Sequence, residues 1–137
     1  MILISDQIIS KLQESITFPN VAVKDFYSIS KVSPPMVTVD ETPGEAVLLP
    51  DGQPKIVRNS YQIEVYCKAQ SVEGKPVSAI SCAKQIAIEV DNILNQSFGL
   101  TQVGDASFAP YIQDQTVMRC IIRYRGDIDT RTEYIYR

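Results

Sequence analysis

Histidine and tryptophan are both absent from this chain of 137 residues. Without histidine there is no Ser-His-Asp or Cys-His catalysis and no imidazole-ligated metal. Cysteine is scarce: Cys67, Cys82 and Cys120 form an odd set of three with no C-x-x-C pair. That argues against a disulfide framework and against a zinc site. Each lies in an apolar stretch, so all three are expected as reduced core thiols. The six glycines (Gly44, Gly52, Gly74, Gly99, Gly104 and Gly126) are scattered, so no loop cradles phosphate. No apolar run approaches the roughly 20 residues that span a bilayer. The opening Met1-Ile2-Leu3-Ile4-Ser5 is apolar, but Asp6 ends the run too early for a secretory signal. The expected setting is therefore a cytosol, with no membrane. Basic runs are missing and the net charge is −3, a poor basis for binding nucleic acid in trans.

What is present suits a single domain over residues 1–137, with 45% apolar residues to build one core. Ser5 to Ile16 has helical spacing at Ile8, Ile9, Leu12 and Ile16, with Ser5 as the expected N-cap. A short strand around Val21 and Val23 follows Phe18-Pro19-Asn20. Ser33-Pro34-Pro35 then redirects the chain into a second strand, Met36 to Glu41. Arg58 to Ala69 alternates clearly: Tyr61, Ile63, Val65 and Cys67 share one face, and Gln62, Glu64, Tyr66 and Lys68 share the other. Pro76 to Gln96 predicts a long helix with Pro76 in its first turn. Its buried stripe is expected at Ile80, Ala83, Ala87, Val90 and Leu94, widened by Ile86 and Ile93, and Gly99 closes it. Leu100 to Pro110 and Thr116 to Asp127 are further strands, and 127–137 is either a last strand or a mobile tail. The order implies an α+β fold: a mostly antiparallel sheet with two helices packed on one face.

Residues 42–59 are the least ordinary stretch. Two turn signals, Pro43-Gly44 and Leu49-Pro50-Asp51-Gly52, bracket the apolar run Ala46-Val47-Leu48-Leu49, and Lys55-Ile56-Val57 follows. This predicts a long projecting loop or hairpin arm. A connection of that length is uncommon without a task. Val47, Leu48, Leu49 and Ile56 are the candidate interface residues, because exposed apolar clusters mark interaction sites. The alternative is a loop folded back on its own core.

The strongest charged pattern is the stripe Arg119, Arg123 and Arg125. It is either a solvated face paired with acids such as Glu64, or a polar subunit interface, or the lining of a channel for DNA held only through phosphates. Ile121 interrupts it. Asp127, Asp129 and Glu133 lack the glycine-turned loop of a calcium site and belong to a mixed-charge segment. Asp40 and Glu41 have no nucleophile or oxyanion donors beside them. Ser78, Ser81 and Lys84 lack the context of a Ser-Lys nucleophile. No catalytic residue, metal ligand or cofactor is expected, and the chain is expected not to be an enzyme.

Four stretches together resemble the tail terminator and head-to-tail joining proteins of long-tailed bacteriophages, also called tail completion or minor capsid proteins. They are the early helix with Phe18-Pro19-Asn20-Val21, then Ser33-Pro34-Pro35-Met36-Val37-Thr38-Val39. The others are Tyr61-Gln62-Ile63-Glu64-Val65-Tyr66-Cys67-Lys68-Ala69 with the helix bearing Glu89-Val90-Asp91, and Met118-Arg119-Cys120-Ile121-Ile122-Arg123-Tyr124-Arg125. The resemblance is one of pattern and order and covers most of the chain. It implies a small α+β subunit of a homo-oligomeric ring, typically a hexamer. The ring would cap the tail tube, stop its growth and meet the head connector protein, with genomic DNA passing through the centre. The implied location is the virion, after assembly in the host cytoplasm. Another neck or tail component, such as a head-completion or tail-tube subunit, is the alternative. A small enzyme or ligand-binding module is a third, and it requires a pocket with convergent polar groups.

Overall fold

The computed structural model describes residues 3–44, 46–48, 54–129 and 135–136, with backbone alone at 46–48, 54–55, 129 and 135–136. Helix α1 spans Ser5–Ser15 and is followed by strand β1 (Ala22–Asp25). A 3-10 turn at Phe26–Ser28 leads through a cis Pro34-Pro35 bond to β2 (Met36–Thr42). Then come β3 (Ala46–Leu48), β4 (Pro54–Cys67), β5 (Gln70–Val72) and β6 (Lys75–Val77). Helix α2 (Ala79–Phe98) follows, then β7 (Thr101–Gln102), β8 (Ser107–Tyr111), β9 (Asp114–Asp129) and β10 (Ile135–Tyr136).

The main sheet runs β1-β2-β4-β9, parallel between β1 and β2 and antiparallel elsewhere. One edge of β9 pairs with β4 from Ile56↔Asp129 to Cys67↔Met118. Its other edge takes three short strands in turn: β8, then β7, then β10. The expected α+β class is therefore correct. Val39, Ile63 and Ile122 stand side by side across the sheet, and so do Val37, Val65 and Cys120. All are buried in one core with Ile8 and Leu12 of α1 and Ile86, Val90 and Leu94 of α2. Each such aliphatic side chain contributes about 1.5–3 kcal/mol by leaving water. Both helices thus lie on one face, α1 over β1 and β2, and α2 over β4 and β9.

Several local features differ from the sequence expectations. Ser5 is the first helical residue of α1, and the cap residue Ile4 has no side-chain acceptor to offer. The acceptor comes from the sheet instead. The Glu41 carboxylate accepts the amide N–H of Ile4 at 3.0 and 3.1 Å and that of Ser5 at 3.0 Å. An anion there satisfies orphan donors at the positive end of the helix. The chain just beyond α1 is held by Glu89 of α2, which accepts from the Thr17 and Phe18 amides at 2.8 and 3.2 Å. It also accepts from the Thr17 hydroxyl.

Helix α2 starts three residues later than Pro76 suggests. Ser78 is its N-cap, accepting from the Ser81 amide at 3.2 Å. Pro76 lies in β6, paired with Ser71 of β5. The turn joining β5 and β6 puts Glu73 and Gly74 at φ 52° and 79°, the positive values a two-residue hairpin demands. At the other end of α2, Gly99 takes the left-handed conformation and donates to Asn95, as expected. The Leu100 to Pro110 strand is two pieces, β7 and β8.

Candidate functional site

Within 42–59 the described segments join the sheet: β3 pairs antiparallel with the start of β4, with a register shift between Val47 and Leu48. Chain leaving β2 passes so close to β4 that a β-carbon on Gly44 would meet the Arg58 carbonyl, and only glycine fits. The Gly44 amide donates to Asn59 Oδ1 at 3.1 Å. β3 then pairs along the same edge of β4 as β2 does, with Val47 opposite Ile56 and Leu48 opposite Pro54. Two of the four candidate apolar residues, Val47 and Ile56, are therefore cross-strand partners. Ile56 is half-buried and also stands opposite Asp129 of β9. Leu49 and the Pro50-Asp51-Gly52 turn lie outside the described residues, as does Glu133. At this end the sheet is the ribbon β3-β4-β9-β10. Among the described residues, β3 pairs with β4 alone and β10 with β9 alone.

The opposite edge of the sheet is closed. The Gln13 side chain of α1 lies along β1, donating to the Val21 carbonyl at 3.0 Å and accepting from the Val23 amide at 2.9 Å. A carboxamide in that position occupies the groups that a neighbouring strand would use.

The arginine stripe lies on the sheet face away from the helices, but it divides. Glu64, expected on a solvated face, is only 1% exposed. It is ion-paired with Arg119 and accepts from the Tyr66 hydroxyl at 2.8 Å, Gln62 at 3.3 Å and Thr38 at 3.5 Å. Tyr66 is buried too, packed with Met36, Val117, Ile29 and Val32 under the β1–β2 connection. That connection covers one half of the face and explains why alternation alone misassigned it. Arg123 and Arg125 remain exposed on the uncovered half, beside Ser60 and Gln62. Arg58 pairs there with Asp127 at 2.8 Å. The structure thus brings Ile56, Arg123 and Arg125 onto one face and withdraws Arg119 from it as a free charge.

Asp40 and Glu41 do not form a site. Strand alternation puts them on opposite faces, Glu41 at the α1 terminus and Asp40 on the far face. Ser78 acts as a helix cap. The three cysteines are free and buried, as expected. The Cys67 thiol donates to Cys82: that bond and burial push Cys67 up, while the same bond, against the opposing effect of burial, draws Cys82 down. Gln70 approaches Cys82 Sγ at 3.7 Å, and burial pushes Cys120 up to about 11. Among the described residues no group of His, Cys, Asp and Glu side chains is arranged to hold a metal ion, and no helix is long and apolar enough to cross a membrane.

One feature was missed from sequence. No described helix lies over β8, so a cleft of about 290 Å³ opens between that strand and α2. Ala106, Phe108 and Ile122 line it on the sheet side, Ala87 and Ile88 on the helix side. Ile88 is 63% exposed, and Ile80, expected in the buried stripe, is 40% exposed. Lys84 and Asp91 also border the cleft, and the Tyr124 hydroxyl donates to Asp91 at 2.9 Å. The signal available in the sequence was Ile88, an apolar residue outside the Ile80-Ala83-Ala87-Val90-Leu94 stripe.

Neither a protein-family model nor any curated protein matches the chain.

Proposed function

We propose that this chain is a structural subunit rather than an enzyme. It assembles as a ring, a hexamer by resemblance, at the head-proximal end of a phage tail tube. The ring ends tail growth and joins the tail to the head connector. The observation that carries the assembly reading is the asymmetry of the sheet's ends. Gln13 blocks the β1 edge against further pairing, while β3 and β10 flank the β4–β9 pair with outer edges that no described strand occupies. Open edges are templates for another chain, and monomeric proteins cover them. The terminator role rests on the resemblance in order and pattern.

In this reading the β3–β4 hairpin contacts a neighbour or the connector protein, and the ring sits on the tail tube protein in the virion after assembly in the host cytoplasm. Genomic DNA passes through without sequence readout. Arg123 and Arg125 are the exposed cations of the stripe, so they belong to a polar subunit contact or to the channel wall, where phosphate attraction is weak and salt-sensitive.

Deleting residues 45–53 tests the hairpin's role. The expected product is a folded monomer that forms no ring and leaves tube length uncontrolled in negative-stain images. Rings that persist unchanged would remove the hairpin from the interface. Open tubes formed by the intact protein would indicate a tail-tube subunit instead.

A further inference from the structure

We propose that the tip of the β8–β9 hairpin docks in the cleft beside α2 of a neighbouring copy of this chain, with Ile112 as the inserted side chain. This deepens the assembly reading and rests on it. Ile112 and Gln113 are the two residues between Tyr111 and Asp114, which pair across the hairpin. Ile112 stands at the apex of that turn, 89% exposed, more than any other large apolar residue described. An apolar side chain held out at the tip of a hairpin gains nothing from its own fold and is placed to be buried by a neighbour.

The cleft is the matching surface. Its apolar lining centres on Ile88 and Phe108, with Lys84 and Asp91 alongside. The tip carries an ion pair of its own, Lys68 Nζ to Asp114 Oδ2 at 3.4 Å, half-exposed beside Ile112. Docking sets Asp114 against Lys84 and Lys68 against Asp91, so the charges complement as the isoleucine enters. The hairpin cannot fill the cleft of its own molecule. Asp114 and Ile122 lie on one extended strand, about 27 Å apart at the rise of an antiparallel strand. The contact is therefore between molecules and joins two different patches, the head-to-tail geometry that closes rings.

The test uses two surface variants, Ile112→Asp and Ile88→Asp, in sedimentation velocity at concentrations where the wild-type chain assembles. Each variant alone is expected to keep its fold by circular dichroism and to sediment as a monomer. The dissociation constant should rise about tenfold or more, as for loss of one buried aliphatic side chain. Mixed in equal amounts, the two should form a dimer and nothing larger, because each pair keeps one intact tip and one intact cleft. Ile112→Ala guards against misfolding: it removes the apolar bulk without adding a charge at an exposed turn, so its unfolding midpoint should hold while assembly is lost. If the wild type forms rings and the variants do too, the docking contact is overturned and the ring reading stands. Monomeric variants that stay inert when mixed overturn the contact in the same way. A wild-type chain that remains monomeric on its own and with tail tubes overturns both.

Discussion

Glu64 and Arg119 face each other across β4 and β9 on the side of the sheet that alternation assigns to solvent. The carboxylate has four partners and almost no exposure, whereas the arginine keeps a partly exposed side chain. Removing one member of such a pair is costly, because the other charge stays behind in a site without water. Arg119→Met is expected to destabilise the fold by about 2–4 kcal/mol, while Glu64→Gln in the same chain recovers most of that loss. Urea unfolding of both single variants and the double variant gives the coupling directly. Additive losses would mean that the ion pair is incidental. The same burial separates Arg119 from Arg123 and Arg125, although alternation puts all three on one face of β9.

At the scale of elements, α1 does more than cover the sheet. Its two ends are tied by carboxylates from β2 and α2, and its Gln13 side chain seals the β1 edge. Gln13→Ala leaves the Val21 carbonyl and the Val23 amide without their partner, at a cost of about 1–2 kcal/mol. The variant is also expected to self-associate through the freed edge, seen as concentration-dependent light scattering at neutral pH. Scattering no greater than wild type would mean that the edge is protected by other means. These ties explain what was legible beforehand. Tyr61, Ile63, Val65 and Cys67 alternate along one strand, and that period alone grouped them on one face, which is the core face. The helices followed from periodicity, but their starts did not. Pro76 reads as a helix start and Ser5 as a cap, while the true partners, Ser78 and the remote Glu41, are chosen by tertiary structure. The Glu73-Gly74 hairpin lacked an Asn-Gly signal. The burial of Glu64 and Tyr66 depends on a connection folding over them, and the cleft depends on where α2 comes to rest. A sequence carries neither until the layers are assembled.

For the molecule as a whole, burial of acidic protons fixes how stability responds to pH. Tyr61, Tyr66 and Tyr124 are pushed up, first by burial and then by the neighbouring carboxylates of Glu41, Glu64 and Asp91. Cys120 is raised to about 11 by burial alone. A group raised in the folded state holds its proton longer folded than unfolded. Its contribution is complete below the unfolded value, about 9 for a thiol and 10 for a phenol, and is lost as pH rises toward the folded value. The fold is therefore expected to weaken progressively above about pH 9. Phenolate absorbance should show Tyr61, Tyr66 and Tyr124 ionising only within the unfolding transition, together with the loss of far-ultraviolet dichroism. Reversible ionisation of these three with the dichroism intact would contradict their placement.

Strand β9 has partners on both edges along its length, and its longest partnership joins it to β4, made far earlier in the chain. During synthesis, Ile63, Val65, Val90 and Leu94 leave the ribosome well before Cys120 and Ile122 exist to cover them. Such non-local pairing closes late and slowly. A nascent chain stopped before β9 holds an unfinished core and no β8–β9 tip. In the proposed assembly, competence to join neighbours would thus arrive only when translation has passed the strand that completes the core, which would screen incomplete chains out of it.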